Sequence, residues 1–161
     1  MPNDKRTTKR NMTNTDDFMT LLPIRLAVQD CINQYTVLFD NGNFDDLVGL
    51  FAVEAIFDVS PSPSFMQVPL NGRAEIMENI SRRYREVAAT GARHQHVCTN
   101  TVFDEISQSR CATRTYLTSL AVAPEVTPRV ATFGTYHDVF QPQGNRWVFL
   151  ERRLTTETAI P

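Results

Sequence analysis

Cysteine is scarce in this chain and never falls in a pairing motif: Cys31, Cys98 and Cys111 are odd in number, sit inside periodic apolar segments and show no CxxC spacing. That excludes a disulfide framework and a zinc ribbon, and makes a reducing, cytoplasmic setting the expected one. No stretch approaches the roughly 18 consecutive apolar residues of a membrane span. The N-terminus also lacks the apolar core of a secretory signal, so no membrane partner and no export are expected. Charge surplus is missing too. With 16 Lys+Arg against 18 Asp+Glu, a formal charge of -2 and no basic cluster inside the folded part, nucleic acid is not an expected partner. A serine nucleophile elbow, a Gly-rich phosphate loop, a dinucleotide fingerprint and internal repeats are all lacking.

What remains is an ordinary globular composition, 42% hydrophobic and 21% charged over 161 residues, the length of one domain. Residues 1–15 are polar and carry Lys5, Arg6, Lys9 and Arg10; they read as a disordered, solvated tail, and residues 16–158 as a single domain. Pro23 is tolerated in the first turn of a helix, and after it Ile24, Ala27, Val28, Cys31, Ile32, Tyr35, Leu38 and Phe39 recur at helical spacing. Asn41-Gly42 ends that helix. Asn43 is placed to cap a short second helix over Phe44 to Phe51, with Asp45 and Asp46 in its first turn. A strand over Ala55 to Val59, a proline-rich loop from Ser60 to Pro69, and a third helix from Arg73 to Val87 follow. The exposed face of that third helix offers i,i+4 pairing such as Glu78 to Arg82.

Beyond Gly91 the helical period stops. Four long strands are predicted, about Arg93 to Ile106, Arg110 to Ala123, Arg129 to Gln141 and Arg146 to Thr158, rich in Thr, Val, Phe and Tyr and joined through turn residues. Helices followed by an antiparallel meander predict an α+β fold: a strongly curved antiparallel sheet, capped by N-terminal helices, enclosing a cone-shaped cavity.

Two of the three histidines lie in the run Arg93-His94-Gln95-His96-Val97-Cys98-Thr99-Asn100. Strand alternation puts His94, His96, Cys98 and Asn100 on one face. Two histidines two apart can ligate a metal, with His137 on a later strand as a third ligand, but further ligands at a known spacing are missing and no metal is expected. The alternative is acid–base chemistry, with His96 beside Asp40 in an apolar cavity; against it stands a hydrogen-bonded core histidine and a helix-end aspartate. Tyr35 is either a hydrogen-bond donor to a substrate oxygen or plain core. It lies about 140° from Asp40 round an ideal helix, so both border one cavity only if the helix end loosens. Tyr116, Tyr136, Ser119 and Thr118 are candidate lining groups. Asp138, on the same face as Tyr136, is either a second inward carboxylate or a rim residue, the rim preferred.

The order of these pieces, Tyr35-x4-Asp40 with Gly42, Phe44 and Leu47, then Phe51 to Ala55, Leu70-Asn71-Gly72-Arg73, Arg93-His94-Gln95-His96, Gly134 to Asp138 and Trp147 to Arg153, resembles the SnoaL-like branch of the nuclear transport factor 2-like superfamily, from about residue 18 to residue 156. Scytalone dehydratase, bile acid 7α-dehydratase, ketosteroid isomerase, polyketide cyclases and dioxygenase small subunits belong there. The resemblance implies an α+β barrel, often dimeric through its sheet, with cofactor-free acid–base chemistry in the cone. It implies His96, Asp40 and Tyr35 as catalytic residues; Tyr136, Tyr116, Ser119, Asp138 and His94 stand beside them as candidate substrate-binding residues. Ser119 departs from the bile acid dehydratase pattern, which has aspartate there and whose C-terminal arginine aligns near Thr156. Gly134 and Tyr136 depart from scytalone dehydratase, which has serine and asparagine. The expected activity is a dehydratase, isomerase or cyclase acting without cofactor on a small apolar polyketide, steroid or terpenoid intermediate, as a homodimer. The alternative is a non-catalytic ligand-binding or assembly module, including a dioxygenase small subunit.

Overall fold

A computed structural model describes residues 15–124 and 126–157. The predicted tail lies outside the described residues except for Thr15, where the first helix already begins.

Helix α1 (Thr15–Asp40) starts two turns before its expected origin and carries Pro23 in its interior. Pro23 is exposed, so the one intrahelical bond it forfeits falls on the side where water can replace it. Val28, Cys31, Ile32 and Tyr35 form the buried face. At its end, Gly42 takes φ +70°, the Gly42 N–H reaches the Phe39 carbonyl (3.0 Å) and the Asn43 N–H reaches that of Leu38 (2.9 Å). This 5→2 and 6→1 pair is a Schellman stop, which satisfies the last carbonyls of the helix and fixes its final residue, Asp40. A Cβ on Gly42 would also meet the Tyr84 ring at 2.7 Å.

The second helix is shorter than expected. Helix α2 (Phe44–Leu47) passes into a 3₁₀ turn (Val48–Leu50), and strand β1 (Phe51–Ser60) begins at the residue expected to close the helix. Asn43 does not cap α2 through its side chain; its amide instead donates to the Asp46 carboxylate (2.7 Å). After β2 (Leu70–Asn71) comes α3 (Arg73–Ala89), which buries Ile76 and Ile80. On its exposed side Arg82 bonds Glu86 (3.1 Å) and Asn79 (2.9 Å) rather than Glu78.

Strands β3 (Arg93–Ile106), β4 (Cys111–Ala123), β5 (Val126–Gln143) and β6 (Arg146–Thr156) form the expected antiparallel meander. The whole sheet runs β2-β1-β6-β5-β4-β3 and does not close. It is curved, with β1 added parallel to β6, a pairing that the meander alone did not foretell. The core lies between α1, α3 and the inner sheet face, where Phe51, Phe140 and Phe149 stack with ring centroids 4.7 to 5.2 Å apart. Gly134 is a packing requirement: a Cβ there would stand 2.2 Å from the Thr155 carbonyl oxygen.

A bulge interrupts β3 between Thr99 and Val102, where Asn100 adopts φ +55°. It shifts the alternation by one residue, so that Thr101 and Phe103 turn inward after His94, His96 and Cys98 while Asn100 is exposed. Asn100 therefore leaves the face it was expected to share.

Candidate active site

Strand β3 is the last in the sheet, so one row of its main-chain N–H groups has no neighbouring strand. The end of α1 meets that edge. Asp40 Oδ2 accepts the main-chain N–H of His96 at 2.7 Å, and Oδ1 lies 2.5 Å from Nδ1 of the same residue. An ionised carboxylate only accepts, so Nδ1 carries the proton of this bond, and in the neutral ring Nε2 then holds the free lone pair. The edge of the Phe39 ring against the imidazole, centroids 5.1 Å apart, holds its plane.

His96 looks into a cavity of about 210 Å³ between α1, α3, the loop after β1 and the inner sheet face. Tyr35, His94, Ser119 and Tyr136 line it with His96, and so do Arg83, Arg129, Thr132 and a largely apolar set including Phe57, Phe65, Met66 and Leu154. Asp40 is not on this wall. It borders an adjoining hollow of about 250 Å³ that shares Phe39, Arg83 and His94 with the first, so the carboxylate holds the imidazole from behind. Tyr35 and Asp40 thus do not face one space: the helix stays regular through Asp40, with the Asn41 N–H still on the Val37 carbonyl (3.2 Å), so the expected loosening does not occur.

Four expected residues stand elsewhere. Tyr116 is 57% exposed on the outer sheet face, because it is of opposite parity to Leu117 and Ser119 along the same strand. Thr118 shares that outer parity. Asp138 is neither rim nor cavity wall: it is fully buried and pairs with Arg152 (2.9 Å), also fully buried, directly across the β5–β6 ladder. His137 is exposed on the outer face, away from His94 and His96. Among the described residues no group of three His, Cys, Asp or Glu could hold a metal.

Arg152 was the largest omission of sequence reasoning. Its guanidinium carbon lies 3.6 Å from the Tyr136 ring centroid and 4.1 Å from that of Tyr35, beneath the two phenols of the cavity. Burial pushes the Tyr35 hydroxyl up to about 12, with Arg152 opposing, and pushes Tyr136 well above its ordinary value in the same way. Both phenols therefore keep their protons as donors. Burial likewise lifts Asp138 to about 7 against the pull of Arg152. His94 moves down, chiefly through burial, with His96, Arg83 and Arg129 adding to it and Asp40 opposing. The signal for Arg152 was an arginine in the inward row Arg152, Leu154, Thr156 of β6.

Residues 20–153 match the SnoaL-like domain. The chain belongs to the SnoaL-like family. Solved structures share its fold at low identity. An NTF2-like protein with a cystatin-like fold from Novosphingobium aromaticivorans aligns over 92% of both chains at 18% identity and TM-score 0.74. ActVI-ORFA from Streptomyces coelicolor aligns at 18% identity and TM-score 0.72, over 84% of this chain and 98% of that one. A Catenulispora acidiphila protein in complex with S-DNPA aligns at 19% identity and TM-score 0.68, over 84% of this chain and 95% of that one. No curated protein matches the chain. Among the described residues of this SnoaL-like chain, no helix is long and apolar enough to cross a membrane.

Proposed function

We propose that the protein is a cofactor-independent acid–base enzyme, a dehydratase, isomerase or cyclase, acting on a small, largely apolar oxygenated metabolite such as a polyketide, steroid or terpenoid intermediate. One observation carries this reading: Asp40 holds both the main-chain N–H and Nδ1 of His96, which leaves Nε2 as a base on the wall of an apolar cavity. Nε2 takes a proton from carbon next to a carbonyl, and Asp40 stabilises the imidazolium that results. Tyr35 and Tyr136 donate to the oxygen on which negative charge develops. In a dehydration the same proton passes from Nε2 to the leaving hydroxyl, which departs as water.

The test is exchange of the α-protons of 2-tetralone in D₂O, followed by NMR. General acid–base assistance is worth about 10²- to 10⁴-fold, so His96→Ala should slow the exchange by that order with the fold intact. Exchange at the wild-type rate in that variant would exclude the mechanism.

A second reading, ligand binding without reaction, draws on the largely apolar lining of the cavity, with Phe57, Phe65, Met66 and Leu154 on its wall. Such a wall would hold an apolar ligand unaided by chemistry. Saturable binding of 2-tetralone with no exchange would favour it.

The same proposal includes a homodimer and a cytoplasmic setting. Val97, Val102, Tyr116, Val130 and Phe133 are exposed together on the outer face of β3, β4 and β5, and a second copy would cover them. All three cysteines are unpaired, as a reducing compartment requires.

A further inference from the structure

Every ionisable side chain on the wall of the His96 cavity other than its tyrosines is basic: Arg83, His94, His96 and Arg129. The whole chain has formal charge -2, so this local sign runs against the average. Two devices place the arginines. Arg83, on α3, lies 4.0 Å above the ring of Phe65 in the loop after β1, which keeps its stem along the cavity mouth. Arg129 is turned by the bulge of β5, where Ser119 pairs with Thr132 but Leu120 with Val130, so that Ala131 is the extra residue.

The nearby carboxylates are occupied. Asp40 is held by His96. Glu86 lies 3.1 Å from Arg82 but 3.8 Å from Arg83, so it belongs mainly to Arg82. The Arg129 side chain makes no hydrogen bond or ion pair among the described residues, its main chain being paired opposite Ala121. Behind this mouth, the Ser119 and Thr132 hydroxyls are buried and unpartnered.

We infer that the ligand of this cavity is an anion with an apolar body, its carboxylate or enolate seated between Arg83 and Arg129 and its ring system reaching inward past His94 towards His96, Ser119 and Thr132. The inference rests on the cavity being the ligand site, as proposed above, and narrows its substrate class from neutral metabolites to organic acids. A guanidinium pair accepts a carboxylate through charge-assisted hydrogen bonds and relieves the repulsion between the two arginines. Neutral ligands of the same shape gain neither.

The probes are 1-naphthaleneacetate and its uncharged amide, 1-naphthaleneacetamide, titrated into the full chain at pH ~8, where the acid is ionised, and followed by calorimetry and amide NMR. The acid is expected to bind about tenfold tighter than the amide, a loss that Arg83→Gln with Arg129→Gln reproduces while the affinity for the amide stays within about twofold. Arg83→Lys with Arg129→Lys keeps the charge and should keep most of the preference. Equal affinity of acid and amide in the wild type, or a preference that survives the double glutamine variant, overturns the anion subsite alone. Binding of neither compound overturns the subsite and the ligand-cavity reading together. An acid preference accompanied by no tetralone exchange supports the subsite and removes only the catalytic reading.

Discussion

Two inward carboxylates of the protein are each held by a nitrogen side chain, one by arginine and one by histidine, and the two pairs have opposite fates. Asp138 and Arg152 are both 0% exposed, joined across two neighbouring strands and covered by the rings of Tyr35, Tyr136 and Phe149. Asp40 and His96 retain 16% and 13% exposure and join a helix end to a sheet edge. Arginine does not release its proton at any ordinary pH, and the carboxyl beside it is sealed from any ligand. The sealed pair therefore serves as a strut beneath the cavity floor. The half-open pair is the one of the two that borders the cavity, through His96.

Removing one partner separates the two pairs most sharply. Asp138→Asn leaves a buried guanidinium without its counter-charge, which should cost about 3–5 kcal/mol in urea unfolding, and Asp138→Leu with Arg152→Met should recover much of that. A loss below about 1 kcal/mol would show that the pair is no strut. Asp40→Asn is milder. Its side chain can still accept one of the two His96 N–H groups, so a loss of about 1–3 kcal/mol is expected, with the ring orientation released.

Acid should act on the half-open side. Because burial holds His94 below its ordinary value, the unfolded chain binds the proton more tightly than the native one. The stability this group contributes is thus present above pH ~6.5 and lost as the pH falls through its native value. His94→Gln should flatten the stability profile below pH ~6.5; an unchanged slope there would remove His94 as its source. The smallest effect belongs to the outer face. Tyr116→Ser should leave monomer stability within about 0.5 kcal/mol and tetralone exchange unaltered, while weakening self-association in analytical ultracentrifugation. A monomeric wild type would refute the proposed dimer.

Much of this architecture was legible because the strands obey a period of two and are punctuated by turn residues, so four long elements emerge within a few residues of their observed ends. Local backbone events were not. The bulge at Asn100 breaks the alternation on which its assignment rested, and α1 continues through Pro23 because an exposed helix tolerates one missing bond. The pairing of residues 40 and 96 was one of two readings open from the residues, and the family resemblance favoured it, since 56 residues separate them and no spacing joins them. Asp138 was misplaced at the rim because its partner is 14 residues further on, in a strand whose inward arginine looks like an error until the aspartate beside it is seen. Arg83 and Arg129 were invisible as a pair, because only the meeting of α3 with β5 at one cavity mouth brings them together.

Long-range ¹H–¹⁵N NMR of the His96 imidazole at pH ~8.5, above the ordinary histidine range, reads the arrangement most directly. Predicted is a ring protonated at Nδ1, with an unprotonated Nε2 whose resonance shifts when 1-naphthaleneacetate is added and whose tautomer becomes mixed in Asp40→Asn. A ring protonated at Nε2, or one that ignores the ligand, would contradict a proton carrier held from behind by Asp40.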